Sequence, residues 1–205
     1  RGTMRDDTAG LVLAGGLARR MGGGDKVLRP LGGRAMLDHV LASLRPQVAA
    51  CLLNANGDPA RFGAWGLPVA ADGVPDFPGP LAGVLAGMDW VAEHRPDLPW
   101  LVSLPGDNPF APPDLVARLH IAREAAGTPI ACAASGPHRH PPVALWPVAL
   151  RGELRSSLLA GERRVGAWAA RWGCALATWE AGPGDPFFNA NTPEELAEAE
   201  RRILG

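Results

Sequence analysis

The sequence predicts an α/β fold, a three-layer sandwich with a mainly parallel sheet between helices. Short apolar runs that read as buried strands alternate with stretches of helical spacing, the pattern of parallel strands joined by right-handed crossovers. The length of 205 residues suits one packed core, and 47% apolar against 20% charged residues can fill it. Residues 1–3 precede Met4 and read as the remnant of an expression tag, so one domain spanning 4–205 is expected.

The first strand is the apolar run Gly10 to Ala14, which ends in glycines and so enters a loop. Ala35 to Leu44 sets Met36, Val40, Leu41 and Leu44 on one helical face, and Ala50 to Ala55 and Leu67 to Ala71 read as further strands. A helix from Pro80 to about Glu93, a strand at Trp100 to Leu104 and a helix from Pro113 to Ala125 continue the alternation, with Pro113 in the first helical turn. Strands follow at Ile130 to Ala133, Val143 to Trp146 and Ala175 to Trp179. Thr192-Pro193-Glu194-Glu195 is a capping box that opens the last helix. The Pro-rich patches at 75–80 and 137–142 read as loops. Ligands of such sheets bind beyond the carboxyl ends of the strands, so loops 14–26, 72–83 and 105–112 are expected to meet on one edge.

Charge narrows the function classes. Twenty Lys plus Arg against 21 Asp plus Glu leave a net charge of −1, which gives no general attraction to nucleic acid or to an anionic membrane. No charge-free stretch approaches the ~18 residues of a membrane-spanning helix, and the N-terminus has no apolar signal core, so a cytoplasmic protein is expected. Cys51, Cys132 and Cys174 are far apart and odd in number, which suggests neither a disulfide framework nor a structural zinc site. The seven Trp lack the basic interleaving of a nucleic-acid surface and read as core.

Rare residues are more informative than the averages. All but one of the 20 basic residues are Arg, and Tyr is absent, a composition that reads as codon bias. Against that background the chain keeps one Lys, Lys26, inside its densest glycine cluster, and Asn only at 54, 56, 108, 189 and 191. These are candidates for chemistry that other residues cannot supply.

The segment from Leu13 through Ala14, Gly15 and Gly16 to Asp25-Lys26 follows the first strand. Glycines there let backbone NH groups approach phosphate oxygens without an intervening side chain. Arg20 and Lys26 add charge, Arg as a fork and Lys as a point contact. Neither a Walker A sequence nor Gly-x-Gly-x-x-Gly is present, which removes the familiar kinase and dinucleotide readings. A glycine-rich surface loop is the alternative.

Leu-Ala-Gly-Gly, then Arg-Met-Gly-Gly, then Gly-Asp-Lys, resembles the signature of the molybdenum cofactor guanylyltransferases. Asn54-Ala55-Asn56-Gly57, Asp72, Gly79-Pro80-Leu81-Ala82-Gly83, Asp107-Asn108-Pro109 and Phe188-Asn189-Ala190-Asn191-Thr192-Pro193 resemble further blocks of that family, in order, over nearly the whole chain from Gly10. The resemblance implies a Rossmann-like nucleotidyltransferase fold and transfer of GMP from GTP to the terminal phosphate of Mo-molybdopterin, with Mg2+ as cofactor. It implies that Leu13, Ala14, Gly15 and Gly16 line the GTP site, that Asn54 and Asp72 hold the nucleoside, that Lys26 and Arg20 meet the triphosphate, and that Asp107 carries the metal. Gly79, Pro80, Gly83, Asn189 and Asn191 are implied for the molybdopterin, although two Asn before a helix cap are also ordinary turn formers. Asp72 before Gly73 and Asp107 after Gly106 have turn readings of their own. The family also implies a monomer that hands product to molybdenum-insertion proteins and molybdoenzyme chaperones.

Gly15-Gly16 after Leu13-Ala14 favours the guanylyl branch over the cytidylyl branch, where Leu-Ala-Ala-Gly is more usual. A sugar-phosphate nucleotidyltransferase and a non-catalytic pterin carrier are the other readings. Intact Lys26 and Asp107 speak against the carrier. His138 and His140 have the spacing of a metal pair but no third ligand nearby, and read instead as a solvated or substrate-edge loop. Glu162-Arg163-Arg164 resembles a family segment whose arginines contact the substrate phosphate or face water.

Overall fold

The computed structural model describes residues 4–15, 25–74 and 79–205. In chain order the elements are β1 (Arg5–Leu13), the small hairpin β2 (Pro30–Leu31) and β3 (Arg34–Ala35), α1 (Met36–Leu44), β4 (Val48–Asn54), β5 (Val69–Ala70), α2 (Pro80–His94), β6 (Trp100–Pro105), α3 (Leu115–Ala126), β7 (Ile130–Ser135), β8 (His138–Pro147), α4 (Arg151–Leu159), α5 (Val165–Trp172), β9 (Cys174–Trp179) and α6 (Pro193–Leu204). Seven strands form one sheet in the order β5-β4-β1-β6-β8-β7-β9. β1 lies parallel to β4 and β6, β4 to β5, and β7 to β9, while β8 runs antiparallel to both β6 and β7. The sheet is thus mainly parallel, with β8 the reversed strand.

Alternating side chains divide the core into two layers. On β1, Val12 faces the side packed by Leu37, Val40, Leu41 and Leu44 of α1 and Leu115, Val116 and Leu119 of α3. Leu11 faces the other side, with Leu81, Val84, Leu85 and Met88 of α2, Leu154 and Leu158 of α4, and Trp168 of α5. Trp146 and Trp168 are fully buried 6.0 Å apart, as the core reading of the tryptophans expects, whereas Trp172 is 40% exposed. α6 stands outside these layers and closes over β2 and β3 through a third cluster around Leu31, Met36, Ala190 and Ala199.

The expected alternation is present, with shifted ends. The first strand is longer than expected, since it begins at Arg5. α3 starts at Leu115 after Asp114, so Pro113 lies in the turn before the helix rather than in its first turn. Thr192 caps α6 as read, its hydroxyl accepting from the Glu195 amide and the Glu195 carboxylate accepting from the Thr192 amide, each at 3.1 Å. α4 and α5 fill a stretch left without a helix by the sequence reading; α4 buries only Leu154 and Leu158, too narrow a stripe to stand out as periodic.

The main correction concerns 137–142. It is strand from His138 onward, although Pro141 and Pro142 can donate no ladder hydrogen bond. The register against β7 slips there: Cys132 faces Ala144 and Ala133 faces His140, so 141–143 form a bulge with no residue of β7 opposite. The prolines sit where the ladder needs no donor, and the bulge redirects 139–143.

Candidate active site

Beyond the carboxyl ends of β1, β4, β5 and β6 lies a cleft of about 920 Å³. The three loops expected to converge do so, through Ala14, Gly15 and Lys26, through Asp72, Val74, Gly79 and Pro80, and through Gly106, Asp107 and Asn108. The single Lys and all five Asn of the chain line this one cleft. Residue types that the composition has nearly eliminated elsewhere are concentrated where ligands would bind.

At one end, Asn54 closes β4. Its amide donates to the Ala70 carbonyl at 3.0 Å and to Asp72 Oδ1 at 2.9 Å. Asn56 donates to Asp72 Oδ2 at 3.0 Å and accepts from the Asp72 amide at 2.9 Å. Both carboxylate oxygens of Asp72 are therefore held before any ligand arrives, and Asn54 has spent its amide hydrogens on the protein. Asn54 thus positions Asp72.

Gly83 departs from its expected place. It does not line the cleft but lies buried in α2, where a Cβ would stand 2.4 Å from Asn54 Oδ1 and 2.9 Å from Leu13 Cδ2. Its missing side chain is what lets Asn54 fit between helix and sheet. Gly79, at φ +108°, does line the cleft and turns the chain into Pro80. The Leu13 carbonyl accepts from the Gly106 amide and the Ala14 amide donates to the Asn54 carbonyl, each at 2.9 Å. Those two groups are committed to the sheet, which narrows the backbone recognition expected of Leu13 and Ala14. Gly16 and Arg20 lie outside the described residues.

The middle of the cleft carries its charge. Lys26 Nζ donates to Asn191 Oδ1 at 3.1 Å, and Asp107 lines the cleft with them. Burial raises the Asp107 pKa above the ordinary carboxylate value, opposed by Asn191 and by the Lys26 charge. Asn108 ties this loop to the chain before α6, donating to Asn189 Oδ1 at 2.8 Å and to the Phe187 carbonyl at 3.2 Å, while Ala190 donates its amide to the Asp107 carbonyl at 3.0 Å. Asn189 and Asn191 are thus part of a bonded network around Asp107, beyond any turn-forming role.

Sequence reasoning missed several groups. Arg61, from the turn after β4, pairs with Asp25 at 2.6 Å and so holds the residue before Lys26; one Arg among 19 offers no signal. Arg139 and the proline bulge form the far wall, visible only once the β8 register is known. His140 lines that wall while His138 is exposed and outside the cleft, so the two do not line it together. Among the described residues, no three His, Cys, Asp or Glu side chains converge as a metal site. No helix of the described residues is long and apolar enough to cross a membrane.

The same chain region is identified by comparison with known proteins. Residues 10–176 match the family described as MobA-like NTP transferase domain. A relative from Rhodopseudomonas palustris (strain BisB5), named molybdenum cofactor guanylyltransferase, is 58% identical over 198 residues, covering 96% of this chain and 94% of its own. Among solved structures, molybdopterin-guanine dinucleotide biosynthesis protein A from Archaeoglobus fulgidus superposes with a TM-score of 0.72 at 22% identity, covering 96% of this chain and 98% of its own. Rv0371C from Mycobacterium tuberculosis H37Rv, solved in complex with manganese, superposes with a TM-score of 0.67 at 19% identity, covering 95% and 98%. At those identities the structures speak to the fold. With most of its length matched by the family and more than half of its residues shared with a close relative, the chain belongs to the MobA-like NTP transferase family, among the molybdenum cofactor guanylyltransferases.

Proposed function

We propose that the chain transfers GMP from GTP to the terminal phosphate of Mo-molybdopterin, releasing pyrophosphate and forming the guanine dinucleotide cofactor. The observation that carries this reading is the placement of Lys26, bonded to Asn191, and Asp107 together in the cleft, where Asn191 and the Lys26 charge both favour the Asp107 carboxylate. A compact cation and a carboxylate held beside one another suit a triphosphate and its accompanying metal ion. Asp72, gripped by two Asn, presents fixed carboxylate lone pairs to the nucleoside at the β4 end.

The acceptor phosphate is the nucleophile. A phosphate monoester, with its second pKa near about 6, is largely dianionic at neutral pH, so no general base is required. Accordingly the described lining holds one His and no Cys. As the acceptor oxygen bonds the α-phosphorus, the bond to the β-phosphate oxygen breaks and its electron pair leaves with pyrophosphate. Lys26 stabilises that charge, and the Asn189–Asn108 and Asn191 contacts keep the surrounding loops in place.

Asp107 fits a divalent cation. Its burial penalises the bare charge, which a cation would relieve, and magnesium commonly takes one or two carboxylates and completes its shell with substrate phosphates and water. When bound, the ion supplies positive charge to the triphosphate oxygens. We assign Mg2+ to this role, Gly79, Pro80, Asn189 and Asn191 to the pterin side, and the cytoplasm as the place of work, with a monomer delivering product to molybdenum-insertion proteins and molybdoenzyme chaperones.

A nucleotide panel with molybdopterin as acceptor, read by mass spectrometry of the dinucleotide, tests the proposal. GTP should exceed CTP by about 10²-fold in kcat/KM, the scale at which mismatched polar contacts discriminate substrates. Equal use of CTP overturns the guanylyl assignment.

A further inference from the structure

Ser135, the last residue of β7, is fully buried beneath the β8 wall of the cleft. Its hydroxyl donates to Asp185 Oδ1 at 2.8 Å and lies 2.6 Å from Nε2 of His140. Asp185 is itself fixed: the same Oδ1 accepts from the Phe187 amide at 2.8 Å, and its backbone carbonyl accepts two hydrogen bonds from the Arg202 guanidinium of α6, each at 3.1 Å. The Phe187 ring packs 5.1 Å from the imidazole.

This arrangement determines the state of the ring. A hydroxyl has one hydrogen, and Ser135 has spent it on Asp185, so toward His140 it can only accept. Nε2 therefore carries a proton, and in the neutral ring Nδ1 is left with a lone pair. Burial lowers the His140 pKa, which favours the neutral ring at neutral pH. No protein group among the described residues hydrogen-bonds Nδ1, and His140 lines the cleft.

Position gives the ligand. In the sheet order, β8 lies beyond β6 and β1 from β4 and β5. Asn54 and Asp72, the nucleoside end of the cleft, are thus across the sheet from His140, which faces the side left for the second substrate. A neutral acceptor nitrogen suits a ring N–H or exocyclic amine, whereas a phosphate would call for a donor.

We propose that His140, fixed by Ser135 and Asp185, reads the heterocycle of the molecule that receives the nucleotidyl group, its Nδ1 accepting a hydrogen bond from an N–H donor on that ring. Ser135 and Asp185 are positioning residues. This rests on the guanylyltransferase reading, in which that ring is the pterin.

His140→Gln separates recognition from packing, because a glutamine amide can still reach Ser135 from the ε position while nothing replaces the δ acceptor. Steady-state kinetics of the full chain with GTP and molybdopterin should show KM for the pterin raised by about 10-fold, the effect of one lost neutral hydrogen bond, with KM for GTP and the melting temperature unchanged. Ser135→Ala, which frees the ring, should move the pterin KM in the same direction. Unchanged pterin KM in His140→Gln, or a rise in GTP KM instead, overturns the proposal while wild-type turnover leaves the function standing. A wild-type chain that forms no dinucleotide overturns both. Imidazole nitrogen NMR of the ligand-free protein gives a readout apart from activity: His140 should be the Nε2-protonated tautomer, and the Nδ1-protonated tautomer would sink the proposal even if either variant failed to fold.

Discussion

Lys26 and Asn191 are separated by 165 positions in sequence and joined by a 3.1 Å hydrogen bond from Nζ to Oδ1. The contact draws the end of the glycine-rich segment to the turn before α6, and both residues act to favour the Asp107 carboxylate in the same cleft. The geometry belongs to a compact ammonium. Lys26→Arg keeps the charge, but a planar guanidinium cannot occupy the same point beside Asn191. Turnover at saturating GTP and magnesium should fall by about 10²-fold with little change in melting temperature, comparable to losing one well-placed stabilising donor. Wild-type turnover in the variant would reduce Lys26 to a solvated charge.

Asp107→Asn separates metal chemistry from folding. Because burial holds the Asp107 pKa above its unfolded value, the ionised carboxylate opposes folding at neutral pH, so removing its charge should leave the melting temperature equal or higher. Activity should collapse at every magnesium concentration. Loss of thermal stability with normal turnover per folded molecule would instead make Asp107 a structural turn residue.

Gly83→Ala reaches the site from behind. A methyl group 2.4 Å from Asn54 Oδ1 cannot be accommodated without moving a side chain tethered to both Ala70 and Asp72. A cost of about 1–3 kcal/mol is expected, as for other overpacked positions, with a rise in KM for GTP because Asp72 moves with Asn54. Urea denaturation and nucleotide titration of the same preparation measure both effects.

His120 sets an acid limit at the opposite end of the sheet. It is fully buried, with Nε2 2.9 Å from the Thr8 hydroxyl and Nδ1 3.4 Å from the guanidinium groups of both Arg5 and Arg123; Asp7 lies 4.0 Å away and Trp100 meets the ring edge-on. Burial, aided by the Arg5 charge, lowers its pKa from 6.5 to about 4. The unfolded chain therefore binds this proton first as pH falls. Stability that is complete above pH 6.5 is lost progressively down to about pH 4, by up to about 3 kcal/mol. Urea midpoints across that range should fall for the wild type and flatten in His120→Gln; the slope rather than the absolute stability decides, and equal slopes would refute the assignment.

Most of the strands and helices, though not the β2–β3 hairpin, α4 or α5, and the convergence of three loops at the carboxyl edge were legible in the residues, because apolar periodicity and capping are local properties. So was the singling out of Lys26 and the five Asn, since composition had made them rare, and all six line the one cleft. The tertiary structure alone decided which of these are tethered to one another. Register cannot be read from a run such as His138 to Trp146: that Pro141 and Pro142 lie in a bulge, and that the bulge brings His140 to the cleft wall, depends on pairing with β7 and β6. Gly83 illustrates the same limit, since only the approach of α2 to Asn54 shows that its lack of a side chain serves packing. Chain chemistry specifies what each residue can do, but long-range contacts between segments as distant as 26 and 191 arise from the packing of whole elements, and that packing determines which residues meet.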